Sequence, residues 1–196
     1  MLDAGFHRVP KGHIAAVVTH LEMRARPAPR PEAKVSLALE RVERPDPDWY
    51  RRLFRTVGAD YLWFGRLEMT DADLAAILAD PKVEVYAVRD GSEEAGLLEL
   101  DFRTPTECEL AYFGLAPGYV GGGSGRWLMN RAIRRAWRDG VDRVWVHTCS
   151  LDHPAALEFY LRSGFTPFAR EIEIAEDPRL RGLLPENAAP QVPLLR

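Results

Sequence analysis

Residues 13–23, HIAAVVTHLEM, place Val17, Leu21 and Met23 on one face at period two, the spacing of a half-buried strand. Prolines at 27, 29 and 31 follow. A stretch so short of N–H donors reads as an extended linker, because it cannot complete a ladder. Alternation returns in KVSLALERVE, residues 34–43, with Val35, Leu37 and Leu39 on one side. Asp46-Pro47 then opens a helix, since Asp accepts from the free N–H groups of a first turn and Pro suits the first helical position. Trp49, Tyr50, Leu53, Phe54 and Val57 share one face of that helix, and Gly58 closes it. A second short helix starts at Thr70-Asp71-Ala72-Asp73, which resembles a capping box, and stops at Asp80-Pro81.

Two strand-like runs follow, Val83 to Arg89 and Ala95 to Phe102, joined by a turn at Asp90-Gly91-Ser92, and together they predict a hairpin. Glu107 to Ala116 is a further strand, leading directly into the glycine-rich segment Pro117 to Gly125. Leu128, Met129, Ala132, Ile133 and Ala136 give helical periodicity from about Gly123 to Asp139. Val144 to Cys149 then predicts a strand, Pro154 to Ser163 a helix and Phe165 to Ile174 a strand. The closing QVPLLR, residues 191–196, is expected to add a last edge strand. Hairpins early and strand–helix crossovers late predict an α/β chain, with a mixed sheet covered by helices on both faces.

Bulk properties narrow the picture. The 196 residues are enough for one domain with a proper core, and 46% hydrophobic with 28% charged residues is ordinary for a globular chain. No apolar run is long enough to span a membrane. A net charge of −3 argues against general electrostatic binding of nucleic acid. Arg126, Arg131, Arg134, Arg135, Arg138 and Arg143 nevertheless concentrate positive charge in one segment, fitting either a solvated helix face or an anion-facing one. Cys108 and Cys149 have neither the number nor the spacing of a disulfide framework or zinc site. The apolar run Ile14 to Val18 is too short for a secretory signal, so a cytoplasmic protein with reduced thiols is expected.

The glycine-rich segment carries the chemistry. Residues 115–128, LAPGYVGGGSGRWL, lie between a strand and a strongly periodic helix. Glycines there let backbone N–H groups converge on one point, and the helix start adds free N–H groups and a positive dipole end. A phosphate-bearing ligand is the natural occupant. A nucleotide-binding Walker loop would end in Gly-Lys-Ser or Gly-Lys-Thr, which is absent, and every alignment of a dinucleotide fingerprint fails at one position or more.

The segment resembles the acetyl-CoA loop of the GNAT superfamily of N-acetyltransferases, Gln/Arg-x-x-Gly-x-Gly/Ala. Aligned after Pro117-x-Tyr119, this chain supplies Val120-Gly121-Gly122-Gly123-Ser124-Gly125, with both required glycines at 123 and 125 and Val120 in place of Gln or Arg. A second pattern of that family, Asn-x-x-Ala-x-x-x-Tyr-x-x-x-Gly-Phe, is matched by Ala156, Tyr160, Gly164 and Phe165, with His153 in place of Asn. The resemblance spans residues 34–175. It leaves 1–33 as an additional N-terminal strand and proline-rich linker, and 176–196 as a C-terminal loop and edge strand of the same domain.

The resemblance implies a mixed, mostly antiparallel sheet of about seven strands with about four helices. It also implies transfer of the acetyl group of acetyl-CoA, with no metal, to a primary amine of a small molecule or peptide by direct attack in a ternary complex. Another acyl-CoA, an alcohol acceptor or a non-catalytic acyl-CoA-binding regulator stays open as an alternative. It implies that Val120, Gly121, Gly122, Gly123, Ser124, Gly125 and Arg126 hold the CoA diphosphate. His153 also stands at a CoA contact, and the backbone from Phe113 to Leu115 pairs with the pantetheine arm where two strands splay. Tyr160 matches a tyrosine near the thioester sulfur. Glu109, eleven residues before Val120, stands where some members place a general base, with Glu99 and Asp101 as substitutes. Each carboxylate fits a solvent-facing strand position equally well, and Tyr160 fits a core aromatic. His147 could titrate near neutrality, and Tyr61, Trp63 and Phe64 fit either an acceptor pocket or the core. The N-terminal strand and its proline-rich arm are expected to be able to pair with a second copy of the chain.

Overall fold

The computed structural model describes residues 3–196. Two side chains set where the first helices begin. Asp46 accepts from the N–H groups of Asp48 and Trp49 at 3.0 and 2.9 Å, starting α1 (Pro47–Gly58). Thr70 accepts from the N–H of Asp73 at 3.1 Å, starting α2 (Asp71–Ala79). Both helices bury their apolar residues on one face of a seven-stranded sheet, where Tyr50, Leu53, Phe54 and Val57 meet Leu74, Val85, Ala87 and Leu97. On the opposite face α3 (Ser124–Ala136) and α4 (Ala156–Arg162) cover Leu98, Leu100, Leu110, Val144 and Val146.

The strands are β1 (His13–Met23), β2 (Ala38–Arg41), β3 (Val83–Asp90), β4 (Glu93–Asp101), β5 (Glu107–Leu115), β6 (Arg143–Cys149) and β7 (Thr166–Glu176). Their order across the sheet is β2-β3-β4-β5-β6-β1-β7, antiparallel everywhere except between β5 and β6. The α/β class, the mixed sheet and the four helices agree with the sequence reading. Among the described residues no helix is long and apolar enough to cross a membrane.

Three expectations need correction. The N-terminal strand, expected to be able to pair with a second copy, lies inside the sheet: β1 is paired with β6 from Val18 to Met23 and with β7 from His13 to Glu22. Both its edges are used, so it has none to offer a second copy of the chain. The C-terminal QVPLLR is not a strand. Pro190 and Pro193 lack donors for a ladder, and the tail is instead gathered around Arg179. That guanidinium pairs with Asp177 at 2.7 Å and donates to the carbonyls of Ala188, Ala189 and Val192. The strand expected over 34–43 shrinks to Ala38–Arg41, which pairs with β3 from Arg89 to Tyr86, next to where β3 ends at Asp90.

Candidate active site

The site begins where two parallel strands part. β5 and β6 pair only at Glu107–Arg143, Cys108–Val144 and Glu109–Trp145. Just beyond, Ala111 is an extra residue in β5: Leu110 faces Leu100 and Tyr112 faces Glu99, a bulge that bends the strand. β5 continues along β4 to Leu115 while β6 follows β1 to Cys149, so the β6-facing backbone of Phe113, Gly114 and Leu115 has no strand partner. Buried backbone groups of this kind need partners, and a ligand laid along the gap supplies them.

A cavity of about 600 Å³ fills the gap. At one end stands the glycine loop. Gly121, Gly122 and Gly123 all have positive φ (101°, 56° and 92°), a run that side-chain-bearing residues rarely adopt. Gly123 ends it as the N-cap of α3, with no side chain satisfying the first-turn N–H groups. Val120, Gly121, Gly122, Gly123, Gly125 and Arg126 line the cavity, as do Phe113 and Leu115. Ser124 does not. An uncapped helix start, an adjoining run of positive-φ glycines and a nearby guanidinium form a donor set suited to a diphosphate.

Three of the six clustered arginines are tied into the fold. Arg131 pairs with Glu32 at 3.0 Å and lies over the Trp127 ring, and Arg138 pairs with Glu84 and lies over the Phe102 ring. Arg143 bridges Glu22 and Glu107. Arg126 lines the cavity but gives one Nη to the carbonyl of Pro31 at 2.8 Å.

Tyr160, on α4, lines the cavity. Its ring is fixed by Phe113, Phe159 and Phe165 at centroid distances of 6.2, 5.7 and 5.8 Å. Burial, then the charge of Asp152, raises its pKa, so the phenol stays protonated. His153 also lines the cavity; its Nδ1 accepts from the N–H of Ala155 at 3.1 Å, holding the approach to α4.

Glu109 lies next to the cavity, whose wall there is His147. Glu109 Oε1 is 3.5 Å from His147 Nδ1. The His147 pKa is raised, chiefly by the hydrogen bond to Glu109; burial opposes this and the Glu109 charge adds to it. His20 stands 5.8 Å from His147, ring to ring, and contacts Glu171 at 3.2 Å. The two substitute carboxylates are committed elsewhere. Glu99 is 0% exposed, accepting from the Tyr50 hydroxyl and from Arg66 at 2.5 Å. Asp101 is clasped by Arg103 at 2.6 Å, and those hydrogen bonds outweigh its burial to lower its pKa.

The far wall belongs to the segment between α1 and α2. Tyr61, Trp63 and Phe64 all line the cavity, and Trp63 is tied to Asp152, which accepts its indole N–H at 3.0 Å and the Thr148 hydroxyl at 2.7 Å. Trp63 also packs on Phe54 and Tyr112, so it serves core and pocket together. Tyr112, Asp152 and Arg30 are cavity residues that the sequence did not single out. Tyr112 is positioned by the bulge, Arg30 by the path of the 24–37 segment and Asp152 by the turn after β6, none of which has a local sequence signal. Among the described residues no group of three or more His, Cys, Asp or Glu is placed to hold a metal ion.

Residues 36–165 match the model of the acetyltransferase (GNAT) family. Solved structures similar in fold include a GCN5-related N-acetyltransferase from Sphaerobacter thermophilus, 16% identical with a TM-score of 0.62 over 84% of this chain and 53% of that one. A conserved protein of Staphylococcus epidermidis is 13% identical, with a TM-score of 0.54 over 85% of this chain and 63% of that one. An acetyltransferase from Thermus thermophilus is 21% identical, with a TM-score of 0.53 over 72% of this chain and 98% of that one. The chain therefore spans less than two thirds of the length of the first two. No curated protein matches it in sequence.

Proposed function

The chain belongs to the acetyltransferase (GNAT) family, and from that premise we propose that it moves the acetyl group of acetyl-CoA to a primary amine by direct attack within one ternary complex. The observation that carries this reading is the meeting, in one cavity, of the β5–β6 gap with the glycine loop and uncapped start of α3. In it Val120 to Gly123, Gly125 and Arg126 hold the diphosphate, mainly through backbone N–H groups, and His153 borders the same path. Phe113 to Leu115 offer backbone groups to the pantetheine amides, and a free N–H there polarises the thioester carbonyl. Tyr61, Trp63 and Phe64 bound the acceptor's side.

The chemistry then divides between two groups. An alkyl amine must lose a proton before or during attack, and in this reading His147, neutral, on the cavity wall and backed by Glu109, receives it. Attack gives a tetrahedral intermediate whose collapse breaks the C–S bond and releases the CoA thiolate. Tyr160 donates a hydrogen bond to that sulfur. Its raised pKa lies above that of an ordinary thiol, so full proton transfer from it would be uphill and hydrogen-bond stabilisation is its main contribution.

The test is acetyl-CoA binding followed by CoA release in the presence of a panel of primary amines. Acetyl-CoA at ~100 times its dissociation constant should stabilise the fold by about 2.7 kcal/mol, and NAD should not. With a productive amine, Tyr160→Phe should lower kcat about 100-fold while leaving acetyl-CoA affinity nearly intact. No stabilisation by acetyl-CoA, or no release of CoA with any amine, would sink the reading.

A further inference from the structure

Because β1 sits between β6 and β7 while β2 lies at the opposite edge, the chain must cross the sheet to connect them, and it does so on the α3 face. The crossing segment, residues 24–37, is clamped onto α3. Asn130 holds residue 30 from both sides, accepting from its N–H at 3.3 Å and donating to its carbonyl at 2.8 Å. Arg126 donates to the Pro31 carbonyl, and Arg131 pairs with Glu32. Ala33 sits so close to the glycine loop that a Cβ on Gly123 would lie 2.8 Å from its own Cβ, and Pro27 packs at Gly164. The segment is thus a strap laid over the phosphate end of the cavity.

The strap brings Arg30 to that end. Arg30 lines the same cavity as Val120, the three loop glycines, Gly125 and Arg126. Its backbone is pinned by Asn130, whereas its side chain makes no ion pair with any described carboxylate. The loop itself lacks a cationic or amide side chain at its first position, where Val120 is 46% exposed.

We infer that Arg30 is a phosphate ligand of the acyl-CoA, supplied by the strap in place of the side chain that Val120 does not provide. The inference rests on the acetyl-CoA reading above. It explains why the strap is fixed at residue 30 rather than left loose: a charge held beside the ligand loses little freedom on binding. A guanidinium is suited to the task because it presents paired donors to phosphate oxygens.

Calorimetric titration of wild type and Arg30→Ala with acetyl-CoA, with 3′-dephospho-acetyl-CoA and with S-acetylpantetheine tests it. The last has the same acyl arm and no phosphate. Arg30→Ala is expected to weaken acetyl-CoA about tenfold, the value of one charge-assisted hydrogen bond, and to leave S-acetylpantetheine unchanged. Arg30→Lys, which keeps the charge without the fork, should fall between. A loss that persists with the dephospho compound assigns the contact to the diphosphate, and one that vanishes assigns it to the 3′-phosphate. Equal acetyl-CoA affinity in wild type and Arg30→Ala overturns the role of Arg30 alone. So does an equal loss for S-acetylpantetheine, which would make Arg30 a packing residue. A wild-type chain that does not bind acetyl-CoA overturns the acetyl-CoA reading as well.

Discussion

Glu99 and Glu109 stand on neighbouring strands, and the environment of each decides what it can do. Glu99 is sealed between Tyr50 and Arg66 beneath α1, and the Arg66 Nε beside it is buried without a partner. Removing the carboxylate charge leaves the rest of that guanidinium uncompensated in the core, so Glu99→Gln should cost about 3–5 kcal/mol in denaturant unfolding. Glu109→Gln, at a part-exposed position, should cost far less stability and act on the rate instead. If His147 accepts the amine proton, it must be neutral to do so, so kcat/KM rises with pH through its pKa. That pKa lies above the ordinary 6.5, because of the Glu109 hydrogen bond first and the Glu109 charge with it. Glu109→Gln removes both causes; the acid limb of the pH–rate profile should move to lower pH while the plateau falls. An unmoved limb would mean that His147 is not the titrating group. The sequence pointed to Glu109 by its distance from Val120, but it gave no means of telling a sealed carboxylate from an available one. That distinction depends on Arg66, thirty-three positions from Glu99 along the chain, and on which side of a bulge each residue falls.

At the scale of elements, the glycine loop and the start of α3 were readable because their signals are local. A strand, a run of glycines and a 3.6-residue apolar period lie within one short stretch of chain. The sequence could not show that three glycines in one loop carry different constraints. A Cβ on Gly121 or Gly122 would enter open space, whereas one on Gly123 would run into Ala33 of the strap. Gly122, at φ 56°, is in the left-handed region that an alanine enters at about 1–2 kcal/mol, while φ near 92–101° at Gly121 and Gly123 is less accessible. Alanine substitutions should therefore rank Gly122→Ala mildest, Gly121→Ala next and Gly123→Ala most damaging. For Gly123→Ala a combined strain and clash of ~2–3 kcal/mol lowers Tm by about 5–10 °C. Thermal melts of the three variants check the order. Equal losses at all three positions would show that the strap is not packed on the loop.

For the molecule as a whole, the sequence predicted most elements correctly but misplaced the two ends. Periodicity shows that residues 13–23 form a strand; it says nothing about which strands that segment joins, because pairing between β1 and β7 links positions some 150 residues apart. The sheet keeps its seventh strand by taking it from the N-terminal end, while the C-terminal segment packs as a tail around Arg179. This arrangement makes the N-terminal segment part of the fold. Without β1, the β6 edge beside the active site and the whole inner edge of β7 lose their ladders, and Leu21 and Met23 leave the core beneath α3 and α4. The strap, with Arg30 and its clamp on Asn130, would go with it. A chain lacking residues 1–33 should therefore fail to fold cooperatively, giving no two-state thermal transition and no acetyl-CoA-dependent stabilisation. Removing only residues 1–9, of which the described residues 3–9 precede the strand and lie outside both core clusters, should leave the transition within a few degrees of wild type. A soluble, cooperatively folded chain of residues 34–196 would show instead that β6 and β7 can close on each other, and that the sheet is stable without the N-terminal strand.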